Sequence, residues 1–356
     1  MTKQIKKNRK NIDRKAKRLL TASILKLIGR VPVKDRFDGS LKRICILAQE
    51  KLGDAILLTP LIGQLRYHFP ELEIHVVAYS DVQSFFRYDP NIQAVYYGKA
   101  DYIRYFQTLK KQQFDLLFNT KDHASFTFLY QSRLIPARFR VGIWHEQHSG
   151  FFHHLIDVDF NRHMIEKNCA LLQFLNVVPG QGACRPYIPP GPVSSEIHEC
   201  ASAIPKKKCV GINLSAGEKS REWSFEKWQT LISQLPEPII IFSMPDRLEE
   251  KEMLENEFGH VVKTPPTRSI YDVAELMRPL LLLVTPDTAL VHAASSTGTP
   301  VVGLYRKDPV HLLRFGPYGI PNRQIVSVSS FVEDIGVDDV LANLASLSEE
   351  LGAGAC

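Results

Sequence analysis

The chain has 356 residues, 44% of them hydrophobic and 23% charged, with a formal net charge of +6. That length supports two domains with separate cores, and that composition excludes wholesale disorder. No apolar run reaches the ~18 residues of a membrane span, and the start is too basic and its apolar part too broken for a secretory signal.

The charge is unevenly placed. Residues 1–20 carry nine Lys/Arg and a single acid, Asp13, so the net +6 resolves into +8 on this arm and −2 over the remainder. Leu19, Leu20, Ile24, Leu27 and Ile28 then follow at helical spacing. A basic extension of this kind, residues 1–40, suits an anionic membrane surface and equally a solvated tail. No aromatic platform accompanies it, which counts against nucleic acid. The six cysteines (45, 169, 184, 200, 209 and 356) form no CxxC pair. Neither a zinc site nor a disulfide framework is suggested, and a reducing cytoplasm is expected.

Lys42–Ala48 is predicted as a first buried strand, and Gly53–Phe69 as a helix with apolar residues at 57, 58, 61, 62 and 65. Strands are expected over 73–78, 91–97, 114–119 and 140–143, with helices near 101–112 and 125–135. Strands alternating with helices of this length imply a parallel sheet covered on both faces. Histidines gather between 144 and 163 (145, 148, 153, 154 and 163) in an irregular segment without the spacing of a metal framework. Prolines and glycines crowd residues 179–205, which reads as a linker with a short helix near 194–203. A second series follows, with strands over 209–214, 238–243, 260–263, 280–285 and 300–305 and helices between them. A last helix is expected over 337–350.

Three turns carry chemistry. Gly53-Asp54 follows the first strand: glycine permits close approach of a ligand, and Asp54 is either a helix cap or a general base. The loop Leu214–Ser224, with Ser215, Lys219 and Arg221, follows the first strand of the second series. Its arginine can clamp a diphosphate bidentately. Trp223 and Trp228 are expected to anchor this region to the core. Pro286-Asp287-Thr288-Ala289-Leu290-Val291-His292 lies between two apolar runs, so Asp287 or Thr288 can cap a helix whose first N–H groups stay open to an anion. No Walker loop, GxSxG, HExxH or GxGxxG occurs in the corresponding contexts.

Taken in order, these residues resemble glycosyltransferase family 9, the lipopolysaccharide heptosyltransferases. The likeness spans roughly residues 41–335. It rests on Gly53-Asp54 with Leu58-Thr59-Pro60, on His163-Met-Ile-Glu166-Lys-Asn168, on the basic loop ending in Trp223, and on Asp287-Thr288-x-x-x-His292 followed by Gly298–Tyr305. The resemblance implies a GT-B fold, two Rossmann-like doubly wound domains facing a central cleft. The acceptor domain would be 41–178, the linker 179–205, the donor domain 206–335 and a C-terminal helix 336–356.

It further implies an inverting transfer of heptose from ADP-heptose to a sugar hydroxyl of the lipopolysaccharide inner core, with no metal and no cofactor. Asp54 would be the catalytic base. Ser215, Lys219, Arg221, Asp287, Thr288, Ala289 and His292 would bind the donor. Gly53, His163, Arg66, Arg133, Arg138 and Arg140 would face the lipid A–core acceptor, although those arginines could equally be surface charges. The basic arm would hold the enzyme on the cytoplasmic face of the bacterial inner membrane. Two departures leave the donor sugar open: Ala289 stands where the family usually has glycine, and Arg221 where it usually has lysine. A sugar-nucleotide epimerase of the same plan and a non-catalytic nucleotide-sugar binding protein are the alternatives.

Overall fold

A computed structural model describes residues 23, 29–37, 39–79, 82–98, 102–180 and 182–353. The basic arm and the apolar positions 19, 20, 24, 27 and 28 lie outside them. The chain parts into two compact units between Cys184 and Arg185, inside the Pro/Gly-rich stretch.

The first unit is built on six parallel strands: β1 (Arg43–Leu47), β2 (Glu73–Ala78), β3 (Ala94–Tyr97), β4 (Phe114–Asn119), β5 (Ala137–Ile143) and β6 (His154–Ile156). Their order is β3-β2-β1-β4-β5-β6. The order reverses between β1 and β4, and that reversal is where an open parallel sheet leaves room for a ligand beyond its strand ends. β1 is apolar at every position after Arg43 and buried throughout that run, as a strand covered on both faces requires.

The predicted helix 53–69 is two helices, Leu52–Ile56 and Thr59–His68. Pro60 explains the break. It has no N–H for the carbonyl four residues back, Ile56, and its ring would crowd that carbonyl. The Thr59 hydroxyl donates to Ile56 O instead, at 2.8 Å. The short helix is thereby held at the end of β1.

The second unit has five parallel strands: β7 (Val210–Asn213), β8 (Ile239–Phe242), β9 (Leu282–Pro286), β10 (Val301–Tyr305) and β11 (Asn322–Val326). Their order is β11-β10-β9-β7-β8, with the reversal between β7 and β9. One face is covered by Trp223, Trp228, Leu231, Leu254 and the terminal helix residues Val340, Leu344 and Leu347. The other is covered by Ile197, Ala201, Leu276, Met277, Ala293 and Ala294. The helix Ser195–Ala203, expected within a linker, and the terminal helix Val337–Ala353 are therefore both part of this unit's core.

Two differences from expectation have local causes. Residues 260–263 make only one bridge, Ile239 to Val261, because Pro265 and Pro266 follow closely and cannot donate to a ladder. β11 is half-exposed and reads Asn-Arg-Gln-Ile-Val, so it lacks the apolar run that marks the inner strands.

Candidate active site

At the β1/β4 reversal of the first unit, Asp54 is the third residue of the helix Leu52–Ile56, whose N-cap is Lys51. It is therefore not the cap, and Gly53 takes no left-handed conformation. The expected glycine turn is a helix start, with Gly53 the second residue of the helix. Asp54 is half-buried and makes no hydrogen bond or ion pair among the described residues. Burial raises its pKa, against the opposing pull of Lys121 and Lys51; Glu50 and Asp122 push it further up. An ionised carboxylate that is poorly solvated and unpaired is a stronger base than one in water.

The groups around it come from the end of β4 and from the helix Met164–Phe174. Lys121 Nζ meets Glu50 Oε2 at 2.5 Å and Gln49 Oε1 at 3.3 Å. Asp122 and Lys167 form a fully buried ion pair at 2.6 Å, and Lys167 also donates to Phe160 O. Asn168 Nδ2 donates to Leu57 O at 2.9 Å, anchoring the end of the Asp54 helix. His163 caps the helix of Lys167 and Asn168, its Nδ1 accepting from Ile165 N at 3.2 Å. The motif 163–168 thus supports the Asp54 turn from beneath. His163 is buried and acts through that support, not on an exposed acceptor surface.

The four arginines suggested for the acceptor lie elsewhere. Arg66 donates to Pro70 O and to Asn91 O, carbonyls that precede β2 and β3. Arg133 ends the helix before β5 and reaches Gly29 O. Arg138, at the start of β5, meets Asp115 at 3.3 Å. Arg140 fastens the turn into β5, donating to Ser132 O, Ala137 O and Ile135 O. Arg66, Arg133 and Arg138 therefore gather at the N-terminal ends of the strands, opposite Gly53 and Asp54, and the Arg140 guanidinium is spent on backbone beside them. The acceptor assignment is corrected for all four.

The histidine-rich segment is also structural. His148 is buried with Nδ1 2.7 Å from Ile143 O, and His153 Nδ1 accepts from Arg140 N at 2.9 Å while stacking on Phe139. Burial pushes both down to about 4. Among the described residues no three His, Cys, Asp or Glu converge as metal ligands.

At the β7/β9 reversal of the second unit, Thr288 is the cap, its hydroxyl accepting from Leu290 N at 3.2 Å. Ala289 begins the helix Ala289–Thr297 without positive φ, so its methyl group carries no backbone strain. The first N–H groups of such a helix have no intrahelical acceptor. Asp287 does not face them. Its carboxylate meets His311 Nε2 at 3.0 Å and Arg221 at 3.5 Å, and Arg221 also donates to Asp287 O at 3.0 Å. Burial alone would raise the pKa of Asp287; the His311 bond, Arg221 and nearby His292 outweigh it and hold the carboxyl below its usual range.

Asn213 ties the two turns together, donating to Thr285 Oγ1, Thr288 Oγ1 and Ser215 O. Ser215 is buried and accepts from Met244 N, so it shapes the loop rather than offering a free hydroxyl. Lys219 is exposed at the start of the 3-10 turn Lys219–Arg221. Trp223 and Trp228 are fully buried and packed edge to face, with Trp223 Nε1 donating to Ile335 O, which fixes this loop to the core.

The residues missed from sequence are Asp122, Lys121, Lys167 and Asn168 in the first unit and Asn213 and His311 in the second. Lys167 and Asn168 stood inside the 163–168 motif. Asp122 and His311 carried no signal, because their partners are 45 and 24 residues away.

Known proteins share this family and this fold. Residues 102–333 match the family model for glycosyltransferase family 9 (heptosyltransferase). Lipopolysaccharide heptosyltransferase 3 of Escherichia coli is 24% identical over 277 residues, covering 71% of this chain and 80% of that protein. Lipopolysaccharide core heptosyltransferase OpsX of Haemophilus influenzae is 22% identical over 298 residues, covering 79% and 83%. Among solved structures, a glycosyl transferase family 9 protein from Veillonella parvula superposes with a TM-score of 0.71 at 20% identity, over 89% of this chain and all of that one. E. coli heptosyltransferase WaaC with ADP superposes with a TM-score of 0.67 at 14% identity, over 86% and 99%. The fold is GT-B-like, and the chain belongs to glycosyltransferase family 9, the heptosyltransferases.

Proposed function

We propose that this transferase moves a heptose from ADP-heptose to a sugar hydroxyl of the lipopolysaccharide inner core, with inversion at the anomeric carbon. The observation that carries the reading is Asp54: a carboxylate without a partner among the described residues, made more basic by burial, at the reversal of the first sheet. Asp54 accepts the proton of the acceptor hydroxyl as its oxygen attacks the anomeric carbon. The bond from that carbon to the diphosphate breaks, and ADP leaves.

Lys219, Arg221 and the open N–H groups after Thr288 neutralise the departing diphosphate. Asp287 orients Arg221, and His292 lies near the Asp287 carboxylate. Relatives support the nucleotide and the acceptor class. Solved heptosyltransferases are described as bound to ADP and to ADP-2-deoxy-2-fluoro heptose, and curated relatives act in the lipopolysaccharide core. The reading uses no metal and no cofactor. The basic arm of residues 1–20 would place the enzyme at the anionic inner face of the inner membrane, where a lipid-linked acceptor is found.

The test is a mass-spectrometric screen of nucleotide sugars with inner-core lipid acceptors, followed by NMR of the new linkage. Heptose addition from ADP-heptose, with inverted configuration, is expected. A product formed only from another nucleotide sugar, or with retained configuration, would overturn the assignment.

A further inference from the structure

The donor edge of the second unit holds more positive charge than the proposed reaction has used. Arg306 follows β10, and Lys307 beside it is exposed. Arg306 Nη1 reaches across to the loop after β7, 3.3 Å from Glu218 Oε2 and 3.1 Å from Ser220 Oγ. Its Nη2 lies 3.6 Å from Asp308. The other oxygen of Glu218, Oε1, is 4.0 Å from Arg221 Nη2. One carboxylate therefore stands between two guanidinium groups, one oxygen toward each.

The two sides of this arrangement differ in kind. Asp287 is almost fully buried and bonded to His311 and Arg221, so it belongs to the framework. The Glu218 side chain is 51% exposed, and its contacts are longer than the roughly 2.7–2.9 Å of a well-made charged hydrogen bond. Water screens it, so it is readily displaced. Gly217 before it opens onto free space, leaving the loop room to turn. Arg221 Nε is buried and meets no acceptor among the described residues, although Arg221 Nη1 is engaged by Asp287. A buried donor without an acceptor is costly unless a ligand supplies one.

We propose that Arg306 is a second cation of the diphosphate clamp, and that Glu218 occupies the place between Arg306 and Arg221 until the diphosphate of the donor displaces it. The ligand class is a nucleoside diphosphate, whose two phosphates can meet two guanidinium groups where a single carboxylate meets each weakly. This rests on the donor site proposed above.

Calorimetry on the full chain with ADP and with AMP tests it. Glu218→Gln should tighten ADP binding by about threefold, because the competing charge is gone. Arg306→Gln should weaken ADP by about tenfold and AMP much less. In the double variant the gain from Glu218→Gln should disappear. Arg306→Lys, which keeps the charge but loses the fork, should fall between and guards against a folding defect in the glutamine variant. Unchanged or weaker ADP binding in Glu218→Gln, or equal losses of ADP and AMP in Arg306→Gln, would overturn the clamp. If Arg221→Ala also leaves ADP binding unchanged, the donor site itself is wrong; if it weakens binding while the Arg306 variants do not, only this inference falls.

Discussion

Asp54, in the helix after β1, and Asp287, directly after β9, each lie beyond a strand that borders the reversal of its own sheet, and their surroundings drive them in opposite directions. Asp54 has no bonded partner among the described residues, and burial makes it hold its proton more tightly. Asp287 has His311 and Arg221, and their attraction outweighs burial. The contrast separates two uses of a carboxylate at the mouth of a parallel sheet. One is kept unpaired and reactive, at a cost to stability; the other is fixed and organises its neighbours. Perturbation of both kinds is common at functional sites, and its direction distinguishes the roles.

The sharpest way to break the comparison is Asp54→Asn. Turnover should fall by about 10²–10⁴-fold, the contribution of a positioned general base. Its effect on stability should be the reverse of ordinary damage. The folded-state pKa of Asp54 is raised, so its ionised form costs stability above that pKa, and the cost vanishes as pH falls below the unfolded value. The variant should therefore melt at the same or a higher temperature than wild type at neutral pH, as a thermal scan would show. A clear loss would mean that Asp54 is framework too.

Lys167→Met addresses the support beneath it. Leaving Asp122 charged and buried without Lys167, with His123 Nδ1 at 3.2 Å still beside it, should cost about 3–5 kcal/mol in denaturant unfolding, whereas Lys167→Met with Asp122→Leu should recover most of that. Asp287→Asn should lose about 1.5–3 kcal/mol and weaken ADP binding. Its pH dependence has a fixed sign. The folded-state pKa is lowered, so the stability Asp287 contributes is present above the unfolded carboxylate pKa and is lost as pH falls through the folded one. The gap between wild type and variant should close in acid; a gap that widens would contradict the pairing. Asn168→Ala leaves Leu57 O without its donor, at about 1–3 kcal/mol, and should lower kcat with little change in ADP affinity. Arg66→Ala should have the smallest functional effect, with acceptor KM unchanged, since its guanidinium serves carbonyls at the far edge of the sheet.

The alternation of apolar runs with amphipathic helices made both sheets legible in the sequence, because strands covered on both faces must be continuously apolar. The edge strands β6 and β11 and the break at Pro60 needed the structure, the strands because half-exposed ones lack that run. In the site, Asp54, Arg221 and Thr288 could be found because they stand in the turns and helix starts that come after strands. The arginines misled because charge has no direction in a sequence: Arg66 and Arg140 look like anion ligands until the carbonyls they hold are seen. Asp122 was silent because a buried ion pair between distant positions leaves no local pattern, although its partner Lys167 stood inside a motif.

The most direct test of the central claim is a single-turnover reaction with ADP-heptose already bound, comparing wild type with Asp54→Asn and reading the heptosylated acceptor by mass spectrometry. The account predicts donor binding in both and product from the variant about 10²–10⁴-fold more slowly than from wild type. Product formed by the variant at the wild-type rate would contradict it.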